Sequence, residues 1–330
     1  MQAQRAALAA AVTGSALWGL SGTAAQVILQ RFEFPIWGLV TIRMLGASFL
    51  LMLVARPAWP RPWTFSLVAL AVFGLVGSQA TYLEALFYSN VTTATLLQFL
   101  FLPMVAGYEL ATGTIRWSMR WAVLLSLAAV GTVLLVVTFG SMGVSILITP
   151  LGLVFGLASA VTGAYYTLAA RQFAQTQSAQ WVSTWGFLVG GLVSAPIGAW
   201  TLVRYHWPST LDDGLLLTGL ILVVVVAGTL LAFTLYVYGL RHLTATEAGI
   251  ADSFEPIVAA LGGFLILGVA LSAPQYFGGA LIVIAVALLG ASGHGRAKPP
   301  KEEGSSGPTA SSSLHPGEGS SRHFGPGADR

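Results

Sequence analysis

Long apolar segments separated by short polar stretches recur along the first 293 residues of the chain. A helix needs about 20 apolar residues to cross a bilayer. The pattern therefore predicts an all-α integral membrane protein with ten transmembrane helices. The predicted spans are residues 6–29, 35–55, 65–88, 91–112, 119–138, 149–171, 180–203, 215–240, 244–268 and 274–293. Because the third and fourth segments almost fuse, the pattern also predicts a tight turn at Ser89 and Asn90.

The composition supports this class, since 55% of the residues are hydrophobic and 8% are charged, against roughly 25% charged in a soluble domain. The net charge is only +3, and the basic residues lie at helix ends without clustering, so we expect the lipid bilayer and not a nucleic acid as partner. No cysteine is present, which excludes disulfides and cysteine metal sites. Residues 294–330 are rich in Gly, Ser and Pro, and we interpret them as a disordered cytoplasmic tail.

The basic residues predict the orientation in the membrane. When ten spans are threaded from a cytoplasmic N-terminus, ten arginines and lysines fall on the cytoplasmic side and only Arg31 and Arg204 on the other. Basic residues in short loops prefer the cytoplasm. Both termini are therefore predicted to be cytoplasmic.

The two halves of the membrane region contain similar segments. One is YLEALFYSNVTTATLLQFLFLP, beginning at Tyr82, and the other is YVYGLRHLTATEAGIADSFEP, beginning at Tyr236. Five spans per half place the second half upside down in the membrane. The sequence thus predicts a five-helix repeat at residues 1–145 and a second, inverted five-helix repeat at residues 146–293.

Each of the two similar segments ends at a proline, Pro103 or Pro256. In inverted repeats, interrupted helices at matching positions indicate a solute site near the membrane midplane. We therefore predict helix breaks at both prolines, beside such a site. The alternative is that each proline is a tolerated kink.

This order of features resembles that of the drug/metabolite transporter superfamily, and within it the EamA-type transporters. The resemblance extends over residues 7–293 and is carried by Trp18-Gly19, Arg43 after Pro35, the stretch from Ala85-Leu86 to Pro103, and the stretch from Gly239-Leu240 to Glu255-Pro256. It implies ten spans in two inverted repeats and transport of small organic solutes, often the export of amino acids, other metabolites or drugs. It also implies a cell membrane location, which in a bacterium is the inner membrane.

The chain departs from the family pattern where the fourth span of each repeat closes. Family members often have Gly-Glu there, whereas this chain has Ile115-Arg116 and Gly268-Val269. A gating role of that glutamate therefore does not carry over. Glu84 and Glu109 lie within four residues of helix ends, where a side chain reaches water at little cost, so we favour an interfacial position over a gating role for both.

Three ionisable residues inside the spans are the main candidates for a solute or coupling site. Arg43 lies about 12 Å into its span at 1.5 Å per residue. It suits an anchor for a carboxylate or phosphate, or else a structural ion pair with Glu84, Glu109 or Glu255. Glu255 is closest to the midplane and suits proton coupling, because burial disfavours a charged carboxylate; alternatively, Arg43 or freed backbone groups satisfy it. Asp252, one turn earlier, is expected to line the same cavity.

Polar aromatic and amide side chains inside the spans extend this candidate set. They are Trp18, Tyr82, Gln98, Trp185, Tyr236 and Tyr238. Indole and phenol groups need hydrogen-bond partners when they are buried, so these side chains are expected to line an amphipathic cavity. Ordinary packing is the alternative for each.

Together these features predict a secondary transporter that moves small organic metabolites, amino-acid-like or other, by alternating access. No GxxxxGK[ST] loop is present, so ATP is not expected to power transport. Proton exchange or downhill flow of the solute remain as the possible driving forces. The alternatives are an intramembrane lipid-modifying enzyme, for which the sequence lacks HExxH or GxSxG motifs, and a passive channel, for which it lacks rings of like charge. No enzymatic activity, cofactor or metal is predicted.

Overall fold

The structure, a computed structural model, describes residues 2–59, 64–89, 91–136, 149–267 and 272–291. These residues form helices and connecting loops, without a strand. The helices are α1 (Gln2–Arg31), α2 (Ile36–Ala55), α3 (Phe65–Tyr88), α4 (Val91–Gln98), α5 (Phe101–Ala111), α6 (Met119–Val136), α7 (Pro150–Thr176), α8 (Ala179–Arg204), α9 (Leu211–Leu240), α10 (Ala245–Asp252), α11 (Glu255–Leu267) and α12 (Ala273–Ala291). Outside the described residues lie the predicted tail, the boundary between the two predicted repeats, Asn90 of the predicted turn, and Gly268-Val269.

Seven helices in the described part of the chain are long and apolar enough to cross a membrane by length and composition. They are Ile36–Ala55, Phe65–Tyr88, Ala94–Ala111, Pro150–Thr176, Ala179–Arg204, Leu211–Leu240 and Ala273–Ala291. A shorter apolar helical stretch runs over Met119–Leu134. The all-helical membrane class is thereby confirmed, while the count of ten spans in two inverted repeats stays a prediction.

Hydroxyl side chains begin several helices where the sequence has a Ser or Thr before an apolar run. The Thr149 side chain accepts a hydrogen bond from the Gly152 amide at 3.0 Å, and Ser178 accepts one from the Trp181 amide at 3.1 Å. Thr210 caps α9 in the same way. An N-cap of this kind stabilises a helix by about 1 kcal/mol, so these short loops define where the helices start.

Helices α3 and α9 each contain a π-helical segment. It covers Leu70–Val76 in α3 and Val226–Leu231 in α9. The Thr229 hydroxyl donates to the Val224 carbonyl, five residues earlier, at 2.8 Å. Single π turns inside α-helices occur often at functional sites, because they free backbone groups and rotate the side chains beyond them. Both segments lie in the third predicted span of their half.

Two further helices are interrupted, in the fourth predicted span of each half. Residues 99–100 form a turn between α4 and α5, and residues 253–254 form one between α10 and α11. Pro103 is the third residue of α5 and Pro256 the second residue of α11. A proline in the first turn of a helix removes no intrahelical hydrogen bond, so each interruption lies just before its proline.

Helix α1 packs against α9, α10 and α11, and its small residues let it approach closely. A Cβ atom at Gly14 would lie 2.7 Å from the Ala232 carbonyl oxygen of α9. A Cβ atom at Gly19 would overlap the Glu255 carbonyl oxygen at the start of α11. Such close contact between backbones is typical of membrane helices. In lipid the hydrophobic effect does not drive helices together, and small residues allow the close van der Waals packing that does.

Candidate functional site

A cavity of about 90 Å³ lies where the interrupted helices meet. Its walls include Gln98, the last residue of α4, and Phe101, the first of α5. They also include Asp252, the last residue of α10, and Glu255, the first of α11. The ends of all four short helices therefore border one space, so groups released by both interruptions face the same site.

Seven of the nine predicted solute or coupling residues line this cavity. They are Arg43, Glu255, Asp252, Trp18, Tyr82, Gln98 and Tyr236. The other two lie elsewhere. Trp185 is buried against Trp59, and its indole N–H donates to the Ala58 carbonyl at 3.0 Å. Tyr238 is 41% exposed and lies beside His242.

Neutral acceptors on two other helices hold the Arg43 guanidinium. Its Nε donates to the Thr229 hydroxyl at 2.8 Å, one Nη to the Gln79 side-chain oxygen at 2.5 Å, and the other Nη to the Gly228 carbonyl at 3.3 Å. Gly228 and Thr229 belong to the π segment of α9, and Gln79 follows the π segment of α3. No described carboxylate lies within 4.0 Å of Arg43, so the structure contains no direct ion pair of Arg43 with Glu84, Glu109 or Glu255, which was one of the two alternatives for this residue.

Two carboxylates, Asp252 and Glu255, line the same cavity as Arg43. The Ser15 hydroxyl donates to Asp252 Oδ1 at 2.9 Å, which fixes that side chain against α1. Glu255 is half-buried. Among the described residues, neither carboxylate has a cationic side chain within 4.0 Å. The cavity thus brings together one positive group, held by neutral partners, and two acidic groups that form no ion pair within 4.0 Å among the described residues.

Aromatic side chains form the cavity wall between α1, α7 and α9. Trp18 packs edge-on against Phe233 with ring centres 4.7 Å apart, and Tyr166 stacks on Tyr236 at 6.4 Å. The Trp18 Nε1 and Tyr166 hydroxyl are buried, and neither has a hydrogen-bond partner within the described residues. A buried donor without a partner costs about 1–3 kcal/mol. Because Trp18 and Tyr166 both line the cavity, these two unpartnered groups belong to its wall.

Sequence reasoning missed Tyr166 and did not foresee the burial of Glu109. Tyr166 is an aromatic residue inside a predicted span, so the criterion that selected Trp18 would also have found it. Glu109 lies near the end of its helix, as expected, but its side chain is only 1% exposed. The carboxylate accepts hydrogen bonds from the amides of Ala245 and Thr246, each at 2.9 Å, and from the Thr246 hydroxyl at 2.7 Å.

Comparison with known proteins gives the family. Residues 150–291 match the model of the EamA-like transporter family. The chain is 31% identical over 291 residues to the uncharacterized inner membrane transporter YicL of Salmonella typhimurium, and the match covers 86% of this chain and 94% of that protein. It is 24% identical over 283 residues to the uncharacterized transporter YwfM of Bacillus subtilis, and that match covers 83% of this chain and 90% of YwfM.

One solved crystal structure superimposes with a TM-score of 0.69 at 19% sequence identity, and covers 86% of this chain and 95% of its own. At that identity the likeness shows a shared fold alone. The names of the family and of the relatives indicate a transporter and not an enzyme. The resemblance that the sequence motifs predict is therefore confirmed: the chain belongs to the EamA-like transporter family.

Proposed function

We propose that this protein is a secondary transporter that moves a small, amino-acid-like organic solute by alternating access. The observation that carries the proposal is the meeting of both interrupted spans at one polar cavity. Interrupted helices put backbone groups and helix ends at the midplane, where a transporter binds its solute. In the cell the protein lies in a bacterial inner membrane, as the name of the Salmonella relative states for that protein.

The proposed architecture is ten spans in two inverted five-helix repeats, residues 1–145 and 146–293, with both termini cytoplasmic. If α4 and α5 make one span and α10 and α11 another, the twelve helices give ten spans. Support comes from paired irregularities, since the third span of each half carries a π segment and the fourth is interrupted. Two rigid halves that rock about a shared site give alternating access.

The chemistry of the cavity favours a solute with both an amino and a carboxylate group. A guanidinium has five N–H donors, and Arg43 directs three to protein acceptors, so donors are left for a carboxylate. The unpartnered N–H of Trp18 and hydroxyl of Tyr166 add to them. Asp252 and Glu255 are acceptors for an ammonium group. An amino acid matches both sides.

Solute binding is testable by thermal shift of the purified protein. A panel of amino acids, organic acids and sugar phosphates is screened, and amino acids are expected to raise the melting temperature most. A ligand at about 100 times its Kd adds about 2.7 kcal/mol to stability. A panel in which only organic acids or sugar phosphates stabilise the protein, or in which nothing does, would contradict the proposed solute class.

Glu255→Gln is expected to abolish the pH dependence of transport in proteoliposomes while the protein still folds. The amide keeps the size of the side chain but cannot bind or release a proton, so a transport cycle that uses this carboxylate loses its response to pH. Uptake of the solute found in the screen is measured between pH 5.5 and 8.5, and both variants are checked by size-exclusion chromatography. Glu33→Gln, at an exposed loop position, is the matched control. A pH profile that is the same in Glu255→Gln and in the unmodified protein would exclude the coupling role.

A further inference from the structure

The solute cavity lies between the two ends of the bundle. We name as the outer end the one where Arg31 pairs with Asp213 at 2.7 Å. Cavity-lining residues Ala25 and Leu83 lie six and five residues from the ends of their helices at that side, and cavity-lining Tyr236 lies four residues from the opposite end of α9. At the opposite, inner end, Glu109 of α5 contacts the start of α10.

We propose that the Glu109 carboxylate is the latch that keeps the inner end of the transport pathway closed. The latch consists of Glu109 together with the amides of Ala245 and Thr246 and the Thr246 hydroxyl, all three of which donate to it. It joins the second half of one interrupted span to the first half of the other. This inference rests on the proposed transport function and adds to it a residue that positions the moving helices.

Two packed layers separate the latch from the cavity. In the first, Leu102 of α5 fills the space beside Gly249 of α10, where a Cβ atom would lie 2.8 Å from the leucine side chain. In the second, Val105 of α5 belongs to a buried apolar cluster that runs from the cavity residue Phe101 to the latch residue Ala245. Asp252, which lines the cavity, is seven residues beyond Ala245 on α10. Release of α10 at the latch therefore opens these layers and moves a cavity residue together with them.

Helix α10 does not need Glu109 in order to form. Thr244 and Glu247 make a capping box: the Thr244 hydroxyl accepts from the Glu247 amide at 3.1 Å, and Glu247 Oε2 accepts from the Thr244 amide at 2.9 Å. These bonds already fix the first turn of the helix. The two amides that remain in that turn donate to Glu109 of another helix. The role of Glu109 is therefore to dock α10.

Charged and polar groups stabilise the closed latch, and water near the end of the helix allows it to open. Backbone amides at a helix N-terminus attract a carboxylate, both as donors and through the helix dipole. The Arg171 guanidinium adds an ion pair to Glu109 at 3.6 Å and donates to the Leu243 carbonyl at 3.1 Å. Glu109 lies two residues from the end of α5, so water at the membrane interface can replace these bonds when the helices separate.

The absence of cysteine from the chain allows a direct test with single-cysteine reporters. Ile250→Cys reports on the inner end, since Ile250 is fully buried in α10. Gly22→Cys reports on the cavity, where a side chain at that position meets no atom within 4 Å. Labelling by a membrane-impermeant maleimide is measured with and without Glu109→Gln. In glutamine an NH2 group replaces one of the two carboxylate oxygens that accept these hydrogen bonds, so the latch loses its charge and one acceptor oxygen.

With Glu109→Gln, labelling of Ile250→Cys is expected to accelerate at least fivefold and labelling of Gly22→Cys to slow. Glu109→Asp keeps the charge, so its labelling rates should lie between those measured with Glu109 and with Glu109→Gln. Glu84→Gln is the control, since Glu84 lies four residues from the outer end of α3, and it should change neither rate. A lower melting temperature with no change at either reporter, or equal acceleration at both, would reduce Glu109 to a structural contact and overturn the latch. No solute is needed here. Failure of the latch therefore leaves the thermal-shift test of the proposed function intact, and the reverse also holds.

Discussion

Arg43→Ala is expected to produce the largest loss of both stability and solute binding among single substitutions at the cavity. We expect the melting temperature to fall by roughly 5–10 °C, because hydrogen bonds to a charged group contribute about 1.5–3 kcal/mol and each 1 kcal/mol corresponds to about 2–4 °C in a protein of this size. Stabilisation by an amino acid should disappear as well. Differential scanning fluorimetry with and without the solute measures both effects.

The physical reason is that Arg43 ties together the irregular parts of two helices. Gln79 follows the π segment of α3, and Gly228 and Thr229 lie within the π segment of α9. A π turn leaves backbone groups without their usual partners, and Arg43 supplies a donor to the Gly228 carbonyl. Removal of the Arg43 side chain therefore leaves acceptors unsatisfied on two helices at once.

Two further variants separate geometry from charge. Arg43→Lys keeps the charge but has a single ammonium group, which cannot reach three acceptors arranged for a planar guanidinium, so its melting temperature should lie between those of the unmodified protein and Arg43→Ala. Arg31→Ala breaks an exposed pair with Asp213, worth about 0.2–1 kcal/mol, and is the control for loss of an arginine. If Arg43→Ala loses stability yet binds the amino acid with unchanged affinity, the role of Arg43 is only to hold α3 and α9 together.

The parts of the fold that follow from the bilayer were predictable from the sequence. Apolar runs of this length form helices, because a helix pairs all its backbone groups within one segment, as lipid requires. Most helices accordingly lie within a few residues of their predicted bounds. The interruptions could be located because Pro103 and Pro256 each lack the N–H that would donate to the carbonyl four residues earlier in a continuous helix. The cavity residues next to these breaks, Gln98 and Glu255, follow from the same argument.

Contacts between distant segments could not be predicted. Glu109 meets Ala245 across 136 residues, and Arg43 meets Thr229 across 186, so no local pattern records either pair. The rotation of each helix about its axis was equally hidden for Trp185, which lies away from the cavity against Trp59. For Tyr238 a signal did exist. It follows Tyr236 by two residues, about 200° around a helix, so both cannot face one cavity.

Gly19 lies where α1 crosses the junction of α10 and α11. Besides overlapping the Glu255 carbonyl oxygen, a Cβ atom there would lie 2.9 Å from the Ala259 amide nitrogen and 3.0 Å from the Val258 Cβ. Two of these three neighbours are backbone atoms of α11, which cannot rotate aside as a flexible side chain does. Gly22, about one turn further along α1, has no atom within 4 Å of its Cβ position. The two glycines are therefore a matched pair.

Gly19→Ala is expected to lower the melting temperature by roughly 3–10 °C, since overpacking costs about 1–3 kcal/mol at about 2–4 °C per kcal/mol. The new methyl group must push α1 away from α11, which displaces Glu255 from the cavity and weakens stabilisation by an amino acid. Gly22→Ala should keep or raise the melting temperature, because alanine is favoured over glycine inside a helix by up to about 1 kcal/mol. Scanning fluorimetry of the two purified variants decides the matter, and equal melting temperatures would mean that α1 does not touch the junction.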